Sequence, residues 1–418
     1  GTAFPEKKAL AEFIKQREEA EKRDHRKLGK ELGLVGFHPW APGEAFWLPR
    51  GTTLYNTLAA FMRKLLLGPG GYQEVKAPLL FNKQLFETSG HWEQYGDNMF
   101  KLVSEEQDVG LKPMNCPGHA LIYQMGLHSY RDLPIRLHEQ SMLHRNEASG
   151  TLSGLTRVRA FAQDDAHIYL RQDQIEQEIT DLLGMVAKVY KIFGFDYTMD
   201  LSTRNPEKFI GDLDKWNEAE AALAQALDRN KITYKVVPNE AAFYGPKIDI
   251  QVTDAIGRKW QLATIQLDYI QAERFDLTYV GEDNARHRPV VIHRAIFGSF
   301  ERFIAMLIEH YAGAFPTWLA PVQARAVVVS EKQEAFAKDV AATLQARGIR
   351  ADLDLSNDKL GAKIRRAQLE KIPYMLVIGD KEVAAGTVSA RQRDGKQLDP
   401  MTVEALADRL SEEARLPL

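Results

Sequence analysis

The sequence predicts an α/β protein in two parts: an α+β domain over residues 1–320, an antiparallel sheet flanked by helices, followed by a smaller α/β domain over 321–418. Three observations carry this. The strand-like runs RLHEQSMLHRNE and VRAFAQDDAHIYL follow each other with only a loop holding Ser149, Gly150, Ser153 and Gly154 between them, which favours antiparallel pairing. After PTWLAP at 316–321 the rhythm becomes strand, helix, strand, helix, strand, hairpin, helix, the mark of a small α/β unit with a partly parallel sheet. And 418 residues exceed what one hydrophobic core usually organises, so a boundary is expected, placed near Pro321.

Taken in order, residues 6–30 carry Leu10, Phe13 and Ile14 at helical spacing and then the charged stretch REEAEKRDHRK, an exposed helix. Leu54, Leu58, Phe61, Met62, Leu65 and Leu66 make a second amphipathic helix over 52–67, ended by GPGG at 68–71. YQEVKAPLL reads as a strand stopped near Pro78. Helices are predicted at 172–193 and 212–229, and strands at 233–238, 247–254 and 258–268 with an AIG turn between the last two. VVIHRAIF leads straight into the helix FERFIAMLIEHYAG. Beyond Pro321 come ARAVVVS, a helix over 331–347, IRADLDL, a helix over 360–371, YMLVIGD, GTVSARQ and a helix over 401–415.

Composition narrows the function. With 44% hydrophobic and 27% charged residues, the chain has material for a buried core, and a net charge of -3 excludes a wholesale electrostatic nucleic-acid binder while leaving room for a local basic face. A single cysteine, Cys116, forbids an intramolecular disulfide and favours the cytoplasm. No apolar run approaches the ~18 residues that span a bilayer, so no membrane partner is expected. Neither a P-loop nor a dinucleotide-binding glycine fingerprint is present.

Singly, the polar residues have bland readings. Arg145 and Glu147 in HRNE suit an ordinary ion pair, Arg302 a solvated helix face, and Asp165 a buried carboxylate satisfied by backbone donors. Cys116 would pair locally with His119 as C-x2-H. Lys359, Lys363, Arg365, Arg366 and Lys371, concentrated along one helix and its approach, suit either a solvated face or phosphate contact.

Collectively, GYQEVKAPLL with Pro78, HRNEASGTLSGLTRVRAFAQDDAHI and GSFERFIAMLI, in that order, resemble the three signature motifs of class II aminoacyl-tRNA synthetases. The resemblance implies that the first builds a homodimer interface. It implies that Arg145 reaches the α-phosphate of ATP and the substrate carboxylate, a task suited to a planar guanidinium, with Glu147 reading adenine and Arg157 also at the nucleotide. Arg302 would meet adenine and the γ-phosphate of a bent ATP carrying Mg²⁺, while Gly298 and Ser299 allow close backbone approach.

MNCPGH, DDAHIYL and VIHRAIFGS further resemble segments of the threonyl-tRNA synthetase family. Cys116, His167 and His293 would then hold one Zn²⁺, a thiolate and two imidazoles leaving a position for substrate. By the same resemblance zinc takes the amino group and hydroxyl of L-threonine. A site built to bind a hydroxyl rejects valine by about 10⁴ to 10⁵, whereas serine, lacking only a methyl, loses only about 1–3 kcal/mol. Asp165 would take the ammonium, Gln163 would sit beside the carboxylate, Tyr244 would close over the amino group, and Lys247 would meet the α-phosphate or the carboxylate. Arg145, Lys247 and Arg302 form the implied catalytic set. Met114, Gln261 and Gln266 would line the pocket, and His91 would lie near the terminal ribose of tRNA(Thr), a structural role for it standing alongside. The family's N-terminal editing domain has no counterpart in these residues.

The last hundred residues resemble the family's anticodon-binding module. Asn357, Arg365, Glu382 and Arg391 are implied base readers, and Lys371 stands where relatives often carry arginine. Two rival readings stay open at this stage. A prolyl- or seryl-type class II enzyme would leave the three metal ligands unexplained, and a catalytically silent RNA-binding paralogue would have no need of Arg145, Arg302, Asp165 and Lys247.

Overall fold

Eight strands form the larger sheet of the protein, described here by a computed structural model covering residues 3–254 and 256–418. In chain order they are β1 (Gln73–Glu74), β2 (Ile135–Glu139), β3 (Asp165–Leu170), β4 (Asp196–Ser202), β5 (Tyr234–Val237), β6 (Lys247–Thr253), β7 (Lys259–Asp268) and β8 (Val290–Ala295). Their order across the sheet is β5-β4-β6-β7-β8-β3-β2-β1. The six inner strands run antiparallel, and each edge carries one parallel neighbour. The antiparallel sheet predicted from the sequence is therefore present. Of the predicted AIG turn, Ala255 lies outside the described residues.

One sheet face is apolar for a simple reason. On that face β3, β6, β7 and β8 each place one isoleucine, Ile168, Ile248, Ile265 and Ile292, all fully buried, and Leu182, Leu183, Val186, Val189 and Tyr190 of the helix Ile175–Phe193 are buried as well. Tyr190 keeps its hydroxyl satisfied there, accepting from the Ala263 amide and donating to the Ile296 carbonyl, both at 2.9 Å. Alternation then sends the intervening polar side chains to the other face.

Several predicted boundaries are corrected. Each of the two long motif strands breaks in two. RLHEQSMLHRNE becomes β2 plus Met142–His144, and VRAFAQDDAHIYL becomes Ala160–Ala162 plus β3. The short halves pair with each other as a separate hairpin. The breaks fall where side chains turn back into the protein. At one, Ser141 accepts from Lys112 Nζ at 2.7 Å, and at the other Asp164 accepts the Ile296 and Phe297 amides at 2.8 Å. YQEVKAPLL is a strand only at Gln73–Glu74 and again from Leu80, since Pro78 offers no amide to a ladder. The N-terminal helix breaks at Asp24, whose side chain caps the second piece, His25–Glu31.

Residues 37–45 and 62–305 form one compact unit, and the chain up to Gly36, residues 46–61 and 306–418 form the other. Within the latter lies a five-stranded sheet of β9 (Ala324–Val328), β10 (Ala351–Asp354), β11 (Tyr374–Ile378), β12 (Thr387–Gln392) and β13 (Met401–Thr402), in the order β10-β9-β11-β12-β13. Its first three strands are parallel and the last two antiparallel, as the strand–helix rhythm predicted. A short helix at Asp380–Ala385 went unforeseen.

Candidate active site

The register of the large sheet builds a polar row. Lys247 on β6 lies opposite Gln266 on β7, Gln266 opposite His293 on β8, and His293 opposite His167 on β3. Residues directly opposite share a face, so four side chains from four strands line up side by side. Two residues along, Asp165 and Thr264 join the same face. Gln261 should point the other way by strict alternation, but a register shift between Asp249 and Gln251 changes the count, and Gln261 lines the same cleft as Gln266.

This cleft has a volume of about 790 Å³, ample for a nucleotide with a small substrate. Its walls bring together Met114, Cys116, Arg145, Glu147, Arg157, Gln163, Asp165, His167, Tyr244, Lys247, Gln261, Gln266, His293, Ser299 and Arg302. Of the side chains expected from the sequence in this domain, only His91 is absent from the lining. It is 2% exposed, with Nδ1 at 2.8 Å from Ser89 Oγ and Nε2 at 3.3 Å from Met114 Sδ, and burial lowers its pKa to about 3.

At one end, Cys116, His167 and His293 each offer a donor atom within 4.8 Å of the others, and all three are buried. Cys116 thus converges with His167 and His293 rather than with His119, the local partner its spacing allowed. The free nitrogens are fixed by their neighbours. His293 Nε2 meets Asp268 Oδ2 at 2.9 Å, and His167 Nδ1 meets His119 Nδ1 at 2.8 Å, leaving His293 Nδ1 and His167 Nε2 for a ligand. A soft sulfur with two imidazoles fits a zinc ion. Burial pushes the Cys116 thiol up, with Asp165 and Asp268 adding to the rise, and burial with His293 pushes the His167 imidazolium down, so both are neutral, and metal binding would release the thiol proton.

Beside this cluster Asp165 accepts from Asn115 Nδ2 at 3.0 Å, and burial raises its pKa, with His119 and the Asn115 hydrogen bond opposing the rise. Tyr244 is buried, its hydroxyl 3.7 Å from Met114 Sδ and its ring centre 5.1 Å from that of His293. Gln266 donates to the Gly245 carbonyl at 3.0 Å.

At the other end stand the cations. The Arg145 guanidinium lies 4.9 Å from the centre of the Phe161 ring and 5.8 Å from that of Tyr95, within cation–π range of both. Arg302 donates to the Thr156 and Gln261 carbonyls, each at 3.1 Å, and burial together with Arg145 and Arg157 lowers its pKa. Three guanidinium groups so close together call for an anion. Glu147 pairs with Arg157 at 3.0 Å rather than with Arg145. Lys247 pairs with Asp249. Ser299 Oγ accepts the Arg302 amide at 3.1 Å at the start of the helix Phe300–His310. Gly298 just before it has φ +76°, and a Cβ there would meet the Leu262 carbonyl oxygen at 2.6 Å, so only glycine fits.

Sequence reasoning missed the supports of this site. Asp249 holds Lys247, Gln261 and Ser202 Oγ together. Asp164, its pKa raised by burial to about 6, ties β3 to the turn that carries Gly298. Glu301, 1% exposed, accepts the Ala162 amide at 3.1 Å, and burial raises its pKa to about 8. Only the doubled acid in QDDAHI and the acid beside Arg302 could have hinted at them.

Glu301 yields a stability prediction. Its folded pKa exceeds the unfolded value, so the folded state holds an extra proton between about pH 4.5 and 8, and stability falls as pH rises through that window, by about 1.4 kcal/mol for each pH step of one. Glu301→Gln should flatten that decline and melt higher than the parent at pH 8.5. Equal pH slopes in urea titrations of the two proteins would contradict it.

In the smaller sheet's unit, Asn357 and Arg365 are exposed, and Glu382 accepts from Ser389 Oγ at 2.7 Å on β12, two residues before Arg391. Arg391 Nε is buried with no hydrogen-bond partner among the described residues. Lys371 has φ +58° where the helix Leu360–Leu369 ends. Two residues of the basic stretch do not face outward as free cations. Lys363 is buried and donates to the Val328 carbonyl at 3.0 Å, while Arg366 pairs with Asp354 at 2.9 Å.

Comparison with known proteins agrees with this architecture. Residues 100–311 match the family described as tRNA synthetase class II core domain (G, H, P, S and T), and residues 321–413 match the anticodon binding domain family. Fold and cleft are thus those of a class II tRNA synthetase. Over 93% of its length the chain superposes, with a TM-score of 0.91 and 44% identity, on 98% of a solved RNA binding domain of threonyl-tRNA synthetase from Cryptosporidium parvum. It is 57% identical to the threonine–tRNA ligase of Anaeromyxobacter dehalogenans and 56% to that of Myxococcus xanthus, aligning along its whole length. The chain belongs to the threonyl-tRNA synthetase family. It spans 65% of the length of each of those two relatives. No helix among the described residues is long and apolar enough to cross a membrane.

Proposed function

We propose that the chain is a threonine–tRNA ligase, activating L-threonine with ATP to threonyl-adenylate and pyrophosphate and then esterifying tRNA(Thr). Residues 1–320 are the catalytic domain and 321–418 the anticodon-binding domain, with Asn357, Arg365, Lys371, Glu382 and Arg391 as base readers. The working form is a cytoplasmic homodimer. The observation that carries the reading is the meeting, in one cleft, of a Cys-His-His donor set with three guanidinium groups.

Activation asks little acid–base work of the protein. The threonine carboxylate attacks the α-phosphorus in line while pyrophosphate leaves, so positioning and charge neutralisation dominate. Arg145 bridges carboxylate and α-phosphate, Lys247 follows the shifting charge once released from Asp249, and Arg302 with Arg157 and Glu147 holds ATP, which brings Mg²⁺. Asp165 takes the ammonium, Gln163, Gln261 and Gln266 supply polar contacts, and Tyr244 covers the amino group beside Met114. Cys116, His167 and His293 would hold zinc, which supplies a Lewis acid for the substrate amine and hydroxyl. His91 is assigned to the tRNA terminus.

ATP–pyrophosphate exchange tests this. Rates should be high with threonine, appreciable with serine and lower with valine by about 10⁴ or more. Similar rates for threonine and valine would refute recognition of the hydroxyl.

A further inference from the structure

Behind the donor cluster runs a buried polar chain. Glu139, at the end of β2, receives His119 Nε2 at 2.9 Å, Lys112 Nζ at 3.0 Å and the Ala77 amide at 2.9 Å. His119, fully buried on the helix Cys116–Gln124, then meets His167 Nδ1 through its own Nδ1. Each link constrains the next. A carboxylate only accepts, so the His119 ring carries its proton on Nε2 and presents a lone pair at Nδ1. His167 must then donate from Nδ1, which leaves the lone pair of Nε2 directed to the cleft, the form in which an imidazole binds a metal.

We infer that His119 and Glu139 are positioning residues that fix the ring orientation and tautomer of His167 for metal binding. The inference rests on the zinc reading above. Lys112 anchors the chain: it neutralises Glu139 and also donates to Ser141 Oγ at 2.7 Å, from which contacts continue through Asn115 to Asp165. One buried ammonium thereby braces both a metal-ligating histidine and the expected ammonium acceptor. Partners of ligating histidines typically affect metal affinity by about 10- to 100-fold.

The test compares the wild-type chain with His119→Phe, His119→Gln and Glu139→Gln, reading zinc per chain, zinc affinity by chelator competition, the visible spectrum of the Co²⁺-loaded chain and melting of the metal-free form. Glutamine at 119 offers an amide to donate to Glu139 and a carbonyl to accept from His167, whereas phenylalanine keeps bulk and loses both. The expected result is zinc binding weakened about 10- to 100-fold in His119→Phe and Glu139→Gln, with a displaced Co²⁺ spectrum, and affinity largely restored in His119→Gln. Folded His119→Phe protein with wild-type affinity and spectrum would overturn the inference. So would His119→Gln binding zinc as weakly as His119→Phe with a matching loss in metal-free melting, since that reports packing alone. A wild-type chain that takes up no zinc overturns the zinc reading itself, a result distinct from either.

Discussion

Cys116→Ala is expected to reduce bound zinc from one ion per chain to nearly none and to abolish the preference for threonine over valine, the largest effect any single change here should produce. Cys116 supplies the only cysteine sulfur of the protein and sits at the N-terminus of a helix, its donor atom within 4.8 Å of those of two histidines that share one row of the sheet. Two neutral imidazoles alone hold zinc weakly, and on the proposed reading the partner of the substrate hydroxyl leaves with the ion, so a discrimination of about 10⁴ should collapse toward parity as the residual rate falls. Metal analysis and exchange assays on one preparation check both halves. Full activity in metal-free Cys116→Ala would remove the basis for the threonine assignment.

Arg145→Ala should lower kcat for exchange by about 10²- to 10³-fold while leaving zinc content unchanged. The guanidinium lies within cation–π range of the Tyr95 and Phe161 rings, and its Nε donates to the Pro113 carbonyl at 3.3 Å, so the group is poised before substrate arrives. Arg145→Lys should recover little, because a point charge lacks the planar fork that joins two oxygens and stacks on rings. Exchange kinetics at saturating ATP separate a kcat effect from weakened binding; a change confined to KM would move Arg145 from catalysis to affinity.

How far the sequence disclosed these features follows from their physical range. Apolar periodicity is local, so the helices 175–193 and 213–229, the long strands and the strand–helix rhythm after Pro321 could be read directly. Register is not local. Nothing in the spacing of His167 and His293 says that they face each other, since the pairing of β3 with β8 is set by the whole sheet. Gln261 is a sharper case: alternation from Gln266 puts it on the wrong face, and the register shift that reverses this leaves no mark in the sequence. Here resemblance supplied what periodicity could not. The supports were hidden for another reason. Asp164, Glu139 and Asp249 look like ordinary acids until folding buries them and brings up distant partners, the Ile296 amide, the His119 ring and the Gln261 amide.

The row running from Lys247 through Gln266 and His293 to His167 also dictates where the chain can tolerate changes of length. Strand parity has period two, so one residue added or deleted within β7 or β8 would carry Gln266 or His293 to the apolar side and bring an isoleucine into the cleft. Indels should therefore be survivable in connections such as 203–212 and 281–289, and ruinous within β7 and β8.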